Sequence, residues 1–169
     1  YCIFEGYNTT IPVIESNIKT ITVDANYNYF GTNVNPVNFT SGNMNLAYWT
    51  VLGVTPEVGE IIAGESVKLN IDFTKYTDGT GVYVLKEAMP ALTVTLKPTI
   101  GVVNPTTVIC ENGIASVNYT SPVTGKEIIY INAPEQVGTL EFNVLSKEIN
   151  IIYISPNGDD SNRGTKDSP

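Results

Sequence analysis

The chain has 169 residues, 42% of them hydrophobic, which is enough apolar material for one ordinary domain with a core and excludes wholesale disorder. Only 15% are charged, against roughly 25% in soluble domains generally, and 9 Lys and Arg face 17 Asp and Glu for a net charge of −8. The basic residues are scattered from Lys19 to Lys166, so no face can neutralise a phosphate backbone, and nucleic acid and anionic membrane surfaces are poor partners. Histidine is absent, which removes Ser-His-Asp and Cys-His nucleophilic sites and nearly all zinc sites.

Along the chain, Tyr1-Cys2-Ile3-Phe4 reads as the middle of a strand, so the chain is expected to be a piece of something longer. Residues 1–46 are rich in Asn, Tyr and Thr, with short apolar runs (Cys2 to Phe4, Ile11 to Ile14, Ile18 to Val23) and little strict alternation. Residues 47–147 show strand after strand at sandwich spacing: Ala47–Val54, Ser66–Phe73, Gly81–Leu85, Ala91–Leu96, Thr106–Cys110, Ile114–Tyr119, Glu127–Ile131 and Thr139–Leu145. Val67, Leu69, Ile71 and Phe73 fall on one face, with Lys68, Asn70 and Asp72 on the other, and Leu140, Phe142 and Val144 oppose Glu141 and Asn143. Glu111-Asn112-Gly113 is a hairpin signal, because Asn-Gly accepts positive φ with little strain. The longest helix-compatible stretch, Val84 to Met89, is stopped by Pro90. Residues 148–169 open with the β-prone run Ile149 to Ile154 and then turn to the polar loop Ser155 to Gly164. The class is all-β, and no run of about 18 apolar residues offers a membrane span.

Three stretches carry a resemblance. Tyr153-Ile154-Ser155-Pro156-Asn157-Gly158-Asp159-Asp160-Ser161-Asn162-Arg163-Gly164-Thr165-Lys166-Asp167-Ser168-Pro169 resembles the strand and loop that open a right-handed parallel β-helix. Asp24-Ala25-Asn26-Tyr27-Asn28-Tyr29-Phe30-Gly31-Thr32-Asn33 is similar to the signature that closes such helices in surface proteins, with Tyr29-Phe30 in place of the usual Trp pair. Leu92 to Leu96, Gly101-Val102-Val103-Asn104-Pro105 and Asn112 to Thr120 resemble the Ig-like repeats of invasin-type adhesins. In that order, and with this Asn- and Thr-rich composition, they resemble the adhesin-like cell-surface proteins of methanogenic archaea. The resemblance implies the C-terminal coil or coils of a β-helix in 1–46, an Ig-like β-sandwich in 47–147, and the first strand and loop of a following β-helix in 148–169. It also implies an extracellular, cell-surface location and no cofactor.

Each candidate site has a plain structural reading beside it. Asn157, Asp159, Asp160 and Asn162 offer oxygen ligands of the type calcium takes, but their spacing is not that of an EF-hand, and an Asx turn accounts for the same residues without metal. Asn8, Asn38 and Asn118 are Asn-x-Ser/Thr glycosylation sequons, informative only in an exported chain. Tyr27 and Tyr29 share one face of a strand, with Phe30 on the other, and Trp49 follows Tyr48; these aromatics are either a sugar platform or packing, Phe30 capping the helix core and Trp49 lying where helix meets sandwich. Lys68 and Asn143 evoke an isopeptide cross-link, yet alternation puts both on polar faces. Cys2 and Cys110 are a disulfide or two small apolar residues.

The sequence reading is a non-catalytic spacer or adhesion module, with a carbohydrate- or host-surface-binding module as runner-up and a non-catalytic part of a β-helical polysaccharide-degrading enzyme as a distant third. Its partners are neighbouring domains or copies of itself, and a cell-surface polysaccharide or host protein. Cys2, Ile3 and Phe4 of one copy are expected to meet Ile149, Ile151, Ile152 and Ile154 of another if the chain forms filaments by adding strands to open sheet edges.

Overall fold

Val67, Leu69, Ile71 and Phe73 form the inward face of the longest strand in the computed structural model, which describes residues 1–4, 14–134, 136–148, Ile154 and Thr165. Among these residues the structure is all-β, interrupted only by a 3-10 turn at Pro36–Phe39. In chain order the strands are β1 (Ile14–Ser16), β2 (Val23–Asp24), β3 (Thr40–Gly42), β4 (Met44–Asn45), β5 (Trp49–Pro56), β6 (Ile61–Ile62) and β7 (Ser66–Thr77), then β8 (Val82–Val84), β9 (Leu92–Pro98), β10 (Val102–Asn104), β11 (Thr107–Cys110), β12 (Ile114–Thr120), β13 (Gly125–Ala133) and β14 (Gln136–Leu145).

Two five-stranded sheets make the sandwich. One runs β10-β12-β7-β5, with β8 paired to the far end of β7; the other runs β11-β9-β13-β14-β6. Their inner faces share one hydrophobic cluster, including Leu69, Ile71 and Phe73 from the first sheet and Leu92, Val94, Leu96, Ile129 and Val144 from the second. Period-2 patterning in each strand sends every second side chain into this layer, and burial of that layer stabilises the fold. All eight strands read from the sequence are present; β6 and β10 were not legible as strands, being two and three residues long. The stretch Val84 to Met89 is not helical: Leu85 and Met89 are core residues, and the Leu85 N–H is held by the Thr74 carbonyl at 2.8 Å.

The Asn112-Gly113 turn has both residues at positive φ, 54° and 81°, as that pair favours, and Glu111 bridges Ile114 across it. It is a corner rather than a hairpin ladder. β11 leaves it into one sheet and β12 into the other, because Cys110 and Val117 both have to reach the interior.

Ahead of the sandwich the described strand pairs are all parallel, as only β6 with β14 is within it. β1 pairs β3 and β2 pairs β4, both parallel, and Ile3 with Tyr29 and Asn28 with Trp49 form parallel bridges. The separations recur: 26 residues for the contact of Cys2 with Asn28, and 21 for those of Thr22 with Asn43 and Asn26 with Ala47. A second, smaller cluster of Ala25, Phe30 and Trp49 fills this region, with Phe4, Ile14, Met44, Leu46 and Val51 packed around it.

Candidate functional site: the junction and its tyrosine cluster

Where the two regions meet, the backbone ladder does not stop. The Tyr29 N–H donates to the Cys2 carbonyl and the Phe4 N–H to the Tyr29 carbonyl, both at 2.9 Å. One strand further, the Tyr27 N–H donates to the Tyr48 carbonyl at 2.9 Å and the Thr50 N–H to the Asn28 carbonyl at 3.0 Å. Thr50 belongs to β5, which is already a strand of the sandwich, so Cys2–Phe4, Asn28–Tyr29 and β5 are successive rungs of one sheet.

Asparagine side chains close the gaps that irregular backbone leaves, as the cost of an unpaired peptide group requires. The Asn26 carboxamide oxygen accepts the N–H groups of Ala47 at 2.7 Å and Tyr48 at 2.9 Å, and that of Asn28 accepts the Cys2 N–H at 2.7 Å. Asn33 binds Leu52 of β5 through both ends of its amide, and its carbonyl accepts the Trp49 indole N–H at 3.1 Å. The Asn-rich composition thus has a local use: asparagine carries both a donor and an acceptor on a short stem.

Strand alternation splits the aromatics between the two interiors. Tyr29 is fully buried against the sandwich, its ring edge-on to Phe73 at 4.7 Å, with its hydroxyl donating to Gln136. Phe30 and Trp49 are buried in the smaller cluster, with Phe4 stacked on Phe30 at 5.2 Å. Packing, rather than a sugar platform, accounts for Tyr29, Phe30 and Trp49.

Tyr27 behaves differently. Its φ of 61° lies in the left-handed region, and its ring packs on the same sandwich cluster as Tyr29 while joining a group of tyrosines the sequence did not reveal. Tyr27 stacks on Tyr48 at 5.2 Å, Tyr76 stands edge-on to both at 4.9 and 5.6 Å, Tyr83 stacks on Tyr76 at 5.3 Å, and Tyr1 meets Tyr27 edge-on at 6.2 Å. These five rings come from both sides of the junction. Tyr1 and Tyr83 are 38% and 45% exposed, and a cavity of about 120 Å³ opens among Tyr1, Tyr27, Tyr76 and Lys86. Beside them Asp78 accepts the N–H groups of Thr80 at 2.8 Å and Gly81 at 2.9 Å and the Thr80 hydroxyl, which pull its carboxyl down to about 2. The nearby Asp78 charge is the main reason the Tyr83 phenol is shifted up.

Glu127 is the other polar centre. It is fully buried, and its carboxylate accepts the N–H of Thr99 at 2.7 Å, that of Gly101 at 2.8 Å, the Thr99 hydroxyl at 2.8 Å and the Tyr119 hydroxyl at 2.7 Å. Burial pushes its pKa up, but these donors outweigh burial and hold it below the usual carboxylate range, while burial and Glu127 together push the Tyr119 phenol far up. With every acceptor occupied, Glu127 pins the Thr99–Gly101 turn and is not poised for proton transfer. The signal was present in the sequence: Glu127 shares its inward face with Ile129 and Ile131.

The remaining candidates fall as follows. Asn38 and Asn118 are exposed, whereas Asn8, Ile149, Ile151, Ile152, Asn157, Asp159, Asp160 and Asn162 lie outside the described residues. Cys2, Ile3 and Phe4 form the outer rung of the junction, and Ile154 is 89% exposed. Lys68 and Asn143 are exposed on strands of opposite sheets and are not brought together. Cys2 is exposed and Cys110 buried, and both are free thiols. Among the described residues, no three His, Cys, Asp or Glu side chains gather as a metal site, no buried side-chain N or O lacks a hydrogen-bond partner, and no helix is long and apolar enough to cross a membrane.

No protein-family model matches the chain, and no curated protein matches it. Similar solved structures include the D0–D1 domain of intimin, with 16% identity and a TM-score of 0.43 over 56% of this chain and 47% of that one. The Yersinia pseudotuberculosis adhesin InvE follows with 12% identity and a TM-score of 0.42, over 62% of this chain and 34% of the adhesin. A glycosyl hydrolase family 2 member from Bacteroides cellulosilyticus has 9% identity and a TM-score of 0.43, over 57% of this chain and 14% of the hydrolase. The match therefore spans about half the length of the intimin fragment and less of the others. Likeness of this degree, shared by adhesins and a hydrolase alike, points to no one activity.

Proposed function

We propose that the chain is a non-catalytic structural module of an extracellular, cell-surface adhesin-like protein, which joins a coil of parallel β-strands rigidly to an Ig-like sandwich. The observation that carries this reading is the unbroken ladder from Cys2–Phe4 through Asn28–Tyr29 to β5. Bending at such a junction breaks several backbone hydrogen bonds and separates two packed clusters, whereas a linker bends freely. The recurring separations of 26 and 21 residues are what successive coils of a β-helix would give, and residues 148–169 would begin another. Partners in this reading are neighbouring domains or copies of the chain, the latter adding Ile149–Ile154 to the rung at Cys2–Phe4. A cell-surface polysaccharide or host protein is the target presented.

Stiffness is the property to measure. Spin labels at Val37→Cys and Thr139→Cys, in a Cys2→Ser background, place one probe on the coil side and one on the sandwich. A single narrow distance distribution is expected. A broad one, as wide as that of two domains on a flexible tether, would remove the spacer reading.

A further inference from the structure

Beyond the spacer role, we infer that the cluster of Tyr1, Tyr27, Tyr48, Tyr76 and Tyr83, with Lys86 and Asp78 at its margin, is a binding site for a pyranose ring of a polysaccharide. Three independent features set it apart from ordinary packing. First, five tyrosine rings gather at the junction, Tyr27 and Tyr76 packed against the margin of the sandwich core and Tyr1 and Tyr83 more than a third exposed. Second, the arrangement holds strain. Tyr27 sits at φ 61°, a region a bulky side chain rarely adopts, fixed by its N–H on the Tyr48 carbonyl and by the Thr50 hydroxyl on its own carbonyl at 2.9 Å. Third, glycine at residue 81 leaves the Tyr83 ring where it stands: a Cβ there would lie 2.7 Å from the Tyr83 hydroxyl oxygen and 2.9 Å from its ring, so the exposed ring would have to shift.

The chemistry selects the ligand class. A pyranose has an apolar C–H face, which packs on an aromatic ring, and a rim of hydroxyls that must exchange their hydrogen bonds with water for others. The cluster offers both: rings edge-on to one another around a cavity of about 120 Å³, with phenol hydroxyls, the Asp78 carboxylate as acceptor and the Lys86 ammonium as donor. Lys86 would also accept the carboxylate of an acidic sugar. Neutral and acidic polymers share the ring chemistry and differ at that one residue.

The test is an NMR titration of the ¹⁵N-labelled 169-residue chain with cellohexaose and, in a second arm, with hexagalacturonate. Amide shifts are expected at Tyr27, Tyr48, Tyr76 to Tyr83 and Lys86 in at least one arm, with saturation in the millimolar range. Tyr83→Ala and Gly81→Ala should each weaken binding about tenfold or more, the second by displacing the ring without removing it. Lys86→Gln should weaken the acidic arm alone, and Tyr130→Ala, an exposed tyrosine on β13, should change nothing. Absence of shifts in both arms up to about 10 mM, shifts confined to other residues, or undiminished binding by Tyr83→Ala would each overturn the site. The spin-label distances are measured without sugar, so the spacer reading stands or falls separately.

Discussion

The side-chain amide of Asn33 holds both backbone groups of Leu52, accepting its N–H at 2.8 Å and donating to its carbonyl at 2.7 Å. Leu52 lies in β5 at the register shift between Val51 and Gly53, where the ladder with β7 skips it, so Asn33 does for its backbone groups what another strand would do.

Asn33→Ala should therefore lower stability by about 1–3 kcal/mol, the cost of leaving a half-buried donor and acceptor unpaired. Asn33→Asp should fare no better, because a carboxylate can accept the Leu52 N–H but meets its carbonyl with a second acceptor. Trp49 is the only tryptophan and lies 3% exposed beside this contact, so urea unfolding followed by its fluorescence reads the effect directly. If both variants unfold at the wild-type midpoint, the amide contact is incidental.

Glu127 predicts a pH dependence. Its folded-state pKa is lowered, so its contribution is fully present above the unfolded carboxylate value of about 4.3 and is lost as pH falls through the lower folded value. Glu127→Gln sets an amide N–H₂ against backbone N–H groups of Thr99 or Gly101, which can only donate, and should cost about 2–4 kcal/mol at pH 7. The gap between wild type and variant should then narrow as the pH is taken from 5 toward 3. Asp78 and Asp72, whose pKa values are also lowered, titrate in both proteins and cancel from the difference. A gap that stays constant with pH would mean the carboxylate charge plays no part.

These two residues also show what the sequence could and could not disclose. The sandwich was readable because its long strands alternate strictly: Val67 to Phe73 cannot bury one face without presenting Lys68, Asn70 and Asp72 on the other. Residues 1–46 gave no such pattern, since rungs of two or three residues are too short to alternate, and their backbone is completed by asparagine side chains instead. Asn26, Asn28 and Asn33 stood in the sequence only as members of a resembled signature, and the structure shows them to be connections. The tyrosine cluster was hidden for another reason. Its members lie far apart in the chain, and although Tyr27 and Tyr29 do pack on the same sandwich cluster, no local spacing brings Tyr1, Tyr48, Tyr76 and Tyr83 to Tyr27.

Gly42 tests whether the two clusters are separate units of stability. Its φ is 87°, and a Cβ there would run into the backbone carbonyl of Ser16, its neighbour across the β1–β3 pair. Gly42→Ala combines left-handed strain with a clash against backbone, and should cost about 1–3 kcal/mol locally. Hydrogen exchange should speed up at Ile14–Ser16 and Thr40–Gly42 while the amides of Leu69, Ile71 and Phe73 keep their protection. Equal loss of protection in both regions would show a single cooperative unit.

The cysteines give the simplest experiment. Cys110 is fully buried in the sandwich core, and burial pushes its thiol up to about 11; Cys2 is exposed on the outer rung. Since the thiolate is the reactive form, iodoacetamide at pH 8 should add one group to the native protein, at Cys2, and a second only in denaturant. Intact mass and peptide mapping count and place the adducts. Two adducts forming at similar rates under native conditions would mean that the sheet carrying β11 opens readily. No adduct until a reductant is supplied would mean that the thiols are joined, which the burial of Cys110 between the two sheets forbids without breaking the core.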